Sequence, residues 1–125
     1  MPSLLVIEDE LEVVDYLKDY FQLHGVQVFT ANSGEDGLQI ISSQKPDLVL
    51  LDLKLGSGIS GLEVLRRAKA AKSNAQIVVV TAVDDQNVAD MAKGFGAVDY
   101  VTKPLIVGDL DRVVLSRLKK GSPQK

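Results

Sequence analysis

Residues 47–52 read Asp47-Leu48-Val49-Leu50-Leu51-Asp52, four apolar side chains in a row that end on a carboxylate. A strand with one wet face alternates apolar and polar residues. An unbroken apolar run marks a strand covered on both faces, as in a parallel sheet. Ile77-Val78-Val79-Val80 repeats the pattern and ends on Thr81. Parallel neighbours need crossovers of about a dozen residues or more, usually helical.

The other strand candidates are residues 4–7, 26–30 and 98–101. Helical stripes fill the gaps. Leu11, Val14, Leu17 and Phe21 share one face, and His24-Gly25 reads as a helix end with a glycine stop. Asn32 with Glu35 makes a capping-box pattern before Leu38 and Ile41, and Ser60 with Glu63 repeats it before Leu62, Leu65 and Ala68. Asp84-Asp85 is placed to open a helix whose stripe is Val88, Met91, Ala92 and Phe95; Leu110, Val113, Val114 and Leu118 form the last stripe. Five strands alternating with five helices define an α/β domain with right-handed crossovers. The predicted architecture is a doubly wound three-layer (βα)5 flavodoxin-like sandwich. Its parallel sheet order, 2-1-3-4-5, is the one expected of such a domain; the strand pattern alone does not fix it. The working crevice of such a sheet lies beyond the carboxyl ends of the strands, where the strand order reverses.

With 125 residues and 46% hydrophobic content, the chain suits one domain. Residues 1–120 are assigned to it and 121–125 to a flexible tail or the start of a linker. No apolar run approaches the ~18 residues of a membrane span. The first residues, Met1-Pro2-Ser3-Leu4, do not resemble a secretory signal. Without cysteine there is neither a disulfide framework nor a thiolate metal site, which suits a cytoplasmic setting. A net charge of −3 disfavours direct nucleic-acid binding by this domain.

The chemistry gathers where the strands end. The first strand runs into Glu8-Asp9-Glu10, the third into Asp52, the fourth into Thr81-Ala82 and the fifth into Thr102-Lys103-Pro104. In a doubly wound sheet these ends share one rim. Carboxylates brought within ~4–6 Å raise one another's pKa, and a divalent cation relieves the repulsion. Oxygen ligands without His or Cys select a hard cation, and Mg2+ suits a site with few carboxylates, water and a phosphate oxygen. Asp52 is the candidate nucleophile toward phosphorus. Lys103 would screen the phosphoryl charge, and the Thr81 hydroxyl would bond a phosphoryl oxygen. Proline makes a cis bond after Lys103 accessible, which would aim the lysine across the rim. Simpler roles exist for each residue taken alone: Asp9 or Glu10 as a helix cap, Thr81 as a β-branched strand end, Lys103 as a surface lysine before a turn.

Leu5-Val6-Ile7-Glu8-Asp9-Glu10, Asp47 to Leu53, Val79-Val80-Thr81-Ala82 and Gly96 to Pro104, in this order and spacing, resemble response regulator receiver domains over essentially the whole chain. The resemblance implies a switch that catalyses only its own phosphorylation and dephosphorylation. Asp52 is then the phosphoacceptor. Asp9 binds Mg2+ directly, Glu8 does so directly or through water, and the Lys54 carbonyl completes the metal shell. Lys103 pairs with the phosphoryl group, and Thr81 and Tyr100 form the switch pair. The implied donor is a histidine kinase or phosphotransfer protein. The implied output face is the fourth helix, fifth strand and fifth helix, which would engage a downstream effector or a second copy in a homodimer.

The chain departs from the family pattern in three places. The loop Leu55-Gly56-Ser57-Gly58-Ile59-Ser60-Gly61 lacks the usual proline and is one residue longer than common, Glu8 stands where Asp is common, and Leu105 stands where an aromatic is frequent. Lys54, two residues past Asp52, is expected to fold toward Glu8 or to shield the acyl phosphate from water. Competing readings are a flavodoxin-like electron carrier, an aspartate-nucleophile phosphatase and a pseudo-receiver that only binds partners. The first lacks a phosphate loop after the first strand and the second lacks an acid at position 54. The complete acidic set together with Thr81 and Lys103 speaks against the third.

Overall fold

The computed structural model describes residues 1–121. Its strands are β1 (Ser3–Ile7), β2 (Gln27–Ala31), β3 (Leu48–Leu51), β4 (Gln76–Thr81) and β5 (Asp99–Thr102). They form one sheet in the order β2-β1-β3-β4-β5, and every neighbouring pair is parallel. The crossovers are α1 (Leu11–Leu23), α2 (Gly34–Gln44), α3 (Gly61–Ala70) and α4 (Gln86–Gly94). The last helical segment, α5, covers residues 107–121. It opens with Val107–Asp109, widens to a π-helix over Leu110–Leu115 and returns to an α-helix over Ser116–Gly121. Gly121, expected in the tail, therefore belongs to α5; residues 122–125 lie outside the described residues. Among the described residues no helix is long and apolar enough to cross a membrane.

Side chains one apart on a strand point to opposite faces, and each face has its own core. Leu5, Ile7, Val49, Leu51, Ile77 and Val79 pack with Ile41 of α2, Val64, Leu65 and Ala68 of α3, and Ala92 of α4. Leu4, Val6, Leu48, Leu50, Val78 and Val80 pack with Leu17 and Phe21 of α1 and with Leu110, Val113, Val114 and Leu118 of α5. The apolar runs of β3 and β4 are thus read twice, once by each layer.

Several local expectations shift by a residue or a partner. β2 and β5 each begin and end one residue later than expected. The cap of α2 is Ser33, whose side chain accepts from the Asp36 N–H at 3.2 Å, in place of Asn32. Ser60 does cap α3, accepting from the Glu63 N–H at 3.2 Å, but the Glu63 carboxylate turns to Arg66 and Arg67 instead of back to the cap. Leu11 and Met91, placed on apolar stripes, stand exposed at 73% and 49%. His24 caps the end of α1 with Gly25 at φ +78°, and Asp85 opens α4 by accepting from the Asn87 N–H.

The Arg66 guanidinium, seconded by Arg67 at 2.7 Å, holds the Glu63 carboxyl down at about 2. A carboxyl depressed by folding adds stability that is complete above its unfolded value and is lost as pH falls through the folded one. An NMR titration of the Glu63 carboxyl carbon is expected to show a midpoint near pH 2. A midpoint at the model-peptide value of ~4.3 would show that the two arginines do not hold it.

Candidate functional site

The sheet's hydrogen bonds continue one residue past several strand ends and lock the rim in place. The Glu8 N–H donates to Ala31 at 3.0 Å, the Asp52 N–H to Ile7 at 3.1 Å and the Lys103 N–H to Thr81 at 2.8 Å. Three residues from distant parts of the chain are thereby fixed to the scaffold through their own backbones. Strand order reverses between β1 and β3, which is where Glu8 and Asp52 emerge.

The Lys103 ammonium sits among three carboxylates. Its Nζ lies 2.9 Å from Glu8 Oε1, 3.1 Å from Asp52 Oδ2 and 3.3 Å from Glu10 Oε1. Glu8 and Asp52 are buried, and only 16% of the Lys103 side chain is exposed, so water screens this core poorly. Glu10 is 65% exposed and adds a weaker, screened contact. Burial alone would lower the Lys103 pKa, but the hydrogen bonds and charges of Glu8 and Asp52 outweigh it and hold the ammonium above the ordinary lysine range. Burial pushes the Glu8 carboxyl up, aided by the Asp52 charge and opposed by Lys103. The Lys103–Pro104 peptide bond is cis.

The remaining oxygens of the pair are also engaged. Glu8 Oε2 accepts from the Glu10 N–H at 3.3 Å, and Asp52 Oδ1 accepts from the Lys54 N–H at 3.1 Å. Glu8's side-chain cation is thus Lys103; the Lys54 side chain, expected to fold toward Glu8 or to shield an acyl phosphate, is exposed. Asp9 differs most from expectation. Its Oδ2 accepts from the Gly56 N–H at 2.8 Å, and the tight carboxylate trio is Glu8, Glu10 and Asp52, each offering an oxygen within 4.8 Å of the others. Glu10, read from the sequence only as part of the acidic run and as a possible helix cap, joins the cluster instead, as alternation past β1 places it on the same side as Glu8.

Thr81 is fully buried at the end of β4. Its Oγ1 accepts a long 3.4 Å bond from the Val83 N–H, while the Tyr100 hydroxyl donates to the Val83 carbonyl at 2.5 Å. The expected switch pair therefore meets on the two backbone groups of Val83. Burial raises the Tyr100 pKa, with help from the charges of Asp84, Asp85 and Asp52.

The donor set fits a hard cation. Three carboxylates converge with no sulfur or imidazole among them, and one ammonium leaves the cluster with a net negative charge. This arrangement has the charge and the donor atoms to attract a hard divalent cation.

A doubly wound α/β domain with an acidic, lysine-bridged crevice at its switch point matches a known class. Residues 4–115 match the response regulator receiver domain, and the chain belongs to that family. It is 32% identical to sporulation initiation phosphotransferase F of Bacillus subtilis, over 98% of this chain and 95% of that protein. It is 40% identical to the transcriptional regulatory protein AfsQ1 of Streptomyces coelicolor, over 97% of this chain but only 53% of the regulator. Among solved structures it resembles a response regulator of Burkholderia pseudomallei with a phosphorylated aspartic acid, a calcium ion and citrate. The TM-score is 0.82 at 26% identity, covering 94% of this chain and 66% of that one. The chain is thus a receiver domain of a two-component response regulator, a signalling switch that works with histidine kinases and effectors.

Gly61, the first residue of α3, presses against the site's backbone. A Cβ there would lie 2.5 Å from both the Asp52 carbonyl oxygen and Leu53 Cα. Alanine is the better helix former by about 1 kcal/mol, yet overpacking against backbone typically costs about 1–3 kcal/mol. Gly61→Ala is expected to lower the urea midpoint of unfolding. A variant as stable as the parent would mean that the contact relaxes freely.

Proposed function

We propose that Asp52 accepts a phosphoryl group from a phosphohistidine, and that the protein passes this event to an effector through α4, β5 and α5. The observation that carries this is the Lys103 ammonium lying 3.1 Å from Asp52 Oδ2 in a buried crevice. In the transfer an Asp52 carboxylate oxygen bonds to phosphorus as the donor's phosphorus–nitrogen bond breaks. The imidazole leaves with the electron pair and takes up a proton, and an acyl phosphate remains on Asp52. The transition state is loose and anionic, so alignment and charge neutralisation do most of the catalysis. Lys103 supplies one positive charge at the site, and the Lys54 N–H holds Oδ1 so that the carboxylate keeps one orientation.

Mg2+ would suit the crevice, and Glu8, Asp9, Asp52 and the Lys54 carbonyl would be the residues to hold it; Glu10 stands close enough to Glu8 and Asp52 to join them. Bound there, it would neutralise phosphoryl oxygens during transfer. Thr81 then bonds the new phosphoryl group, which draws on Val83 and so releases Tyr100 to turn inward. A homodimer through the same output face is one way to read the switch. The donor is a histidine kinase or a phosphotransfer protein, and the setting is the cytoplasm. Nucleic acid is not contacted by this domain itself, although AfsQ1 is a transcriptional regulator about twice this chain's length.

Incubation with Mg2+ and acetyl phosphate, followed by intact mass measurement, is expected to show one added phosphoryl group, absent without Mg2+ and absent in Asp52→Asn. An unmodified parent protein would favour the pseudo-receiver, a phosphorylation-independent interaction module.

A further inference from the structure

The segment between Asp52 and α3 carries the Lys54 carbonyl and is held from two sides. Asp9 Oδ2 takes the Gly56 N–H at 2.8 Å, and Glu35 Oε2 takes the Ile59 N–H at 3.2 Å. Glu35 belongs to the first turn of α2, where the helix dipole favours a carboxylate. The loop comes close to it. Gly58 adopts φ +75°, and a Cβ on it would lie 2.4 Å from Glu35 Oε1. The neighbouring Ile59 side chain rests over Gly34, where a Cβ would meet Ile59 Cγ1 at 2.7 Å. The start of α2 is thus a two-point seat, with a glycine for the Ile59 side chain and a carboxylate for its N–H.

The two tethers are unequal. Asp9 is itself an expected metal ligand, so a cation competes with Gly56 for its carboxylate. Glu35 lies outside the Glu8, Glu10 and Asp52 cluster and has no such second claim. We propose that Glu35 is a positioning residue for the metal site: by seating Ile59 it keeps the loop, and the Lys54 carbonyl with it, in place when Asp9 turns to the cation. This inference rests on the crevice being the metal-assisted phosphoacceptor site described above. It also gives the long, proline-free loop a substitute anchor, an ionised hydrogen bond in place of a rigid ring.

The test is Mg2+ binding by calorimetry, with amide hydrogen exchange at Gly56 and Ile59, on the parent chain and on Glu35→Ala and Glu35→Gln. In the parent, Mg2+ is expected to speed exchange at Gly56 and leave Ile59 protected. Glu35→Ala is expected to weaken Mg2+ binding roughly tenfold, the usual scale for losing an outer-shell partner, and to expose Ile59. Glu35→Gln keeps an acceptor oxygen and is expected to recover most of the affinity, which a general loss of fold would not allow. Unchanged Mg2+ affinity in Glu35→Ala would overturn the role of Glu35 while leaving the phosphoacceptor reading intact. A parent chain that binds no Mg2+ would overturn both.

Discussion

The arrangement depends on one ammonium held between two buried carboxylates. Lys103 lies within 3.1 Å of both Glu8 and Asp52, which arrive from strands β1 and β3 while the lysine arrives just past β5. Two carboxylates so close repel each other, and burial makes the repulsion costly. The lysine offsets part of that cost but leaves the crevice negative. A site with this balance favours a further positive charge. The sheet supplies the rigidity: backbone bonds from Glu8, Asp52 and Lys103 to the neighbouring strands fix where each side chain starts.

Much of this was legible in the chain. The apolar runs of β3 and β4 marked strands buried on both faces, and both cores confirm that their residues divide between layers. The edge strands were harder. β2 and β5 have only one neighbour each and carry half-exposed residues, so hydrophobicity marks their ends poorly and both boundaries slipped by one. The same slip explains the cap of α2. β2 continues to Ala31, which pairs with Ile7, and α2 starts at Gly34, so the extended residue directly before the helix is Ser33 rather than Asn32.

Within the site, residue type was legible and direction was not. Three consecutive acids after β1 announced a charged rim, but which of them face Asp52 depends on how the chain turns into α1. Glu10 stays extended and points with Glu8, while Asp9 faces the loop after β3. The partnership of Glu35 with Ile59 and the convergence of Thr81 and Tyr100 on Val83 join residues far apart in sequence through backbone groups. Such contacts leave no mark on residue identity, apart from glycines such as Gly58 and Gly61 that the close approaches require.

Lys103 and Glu8 are expected to be energetically coupled in the metal-free protein. A double-mutant cycle measures this directly: urea unfolding of the parent, Lys103→Met, Glu8→Gln and the double variant, all in the presence of a chelator. A coupling energy of at least about 1 kcal/mol is expected for a buried, hydrogen-bonded pair. Additivity within about 0.3 kcal/mol would contradict the account, because the ammonium would then not be holding the carboxylates together.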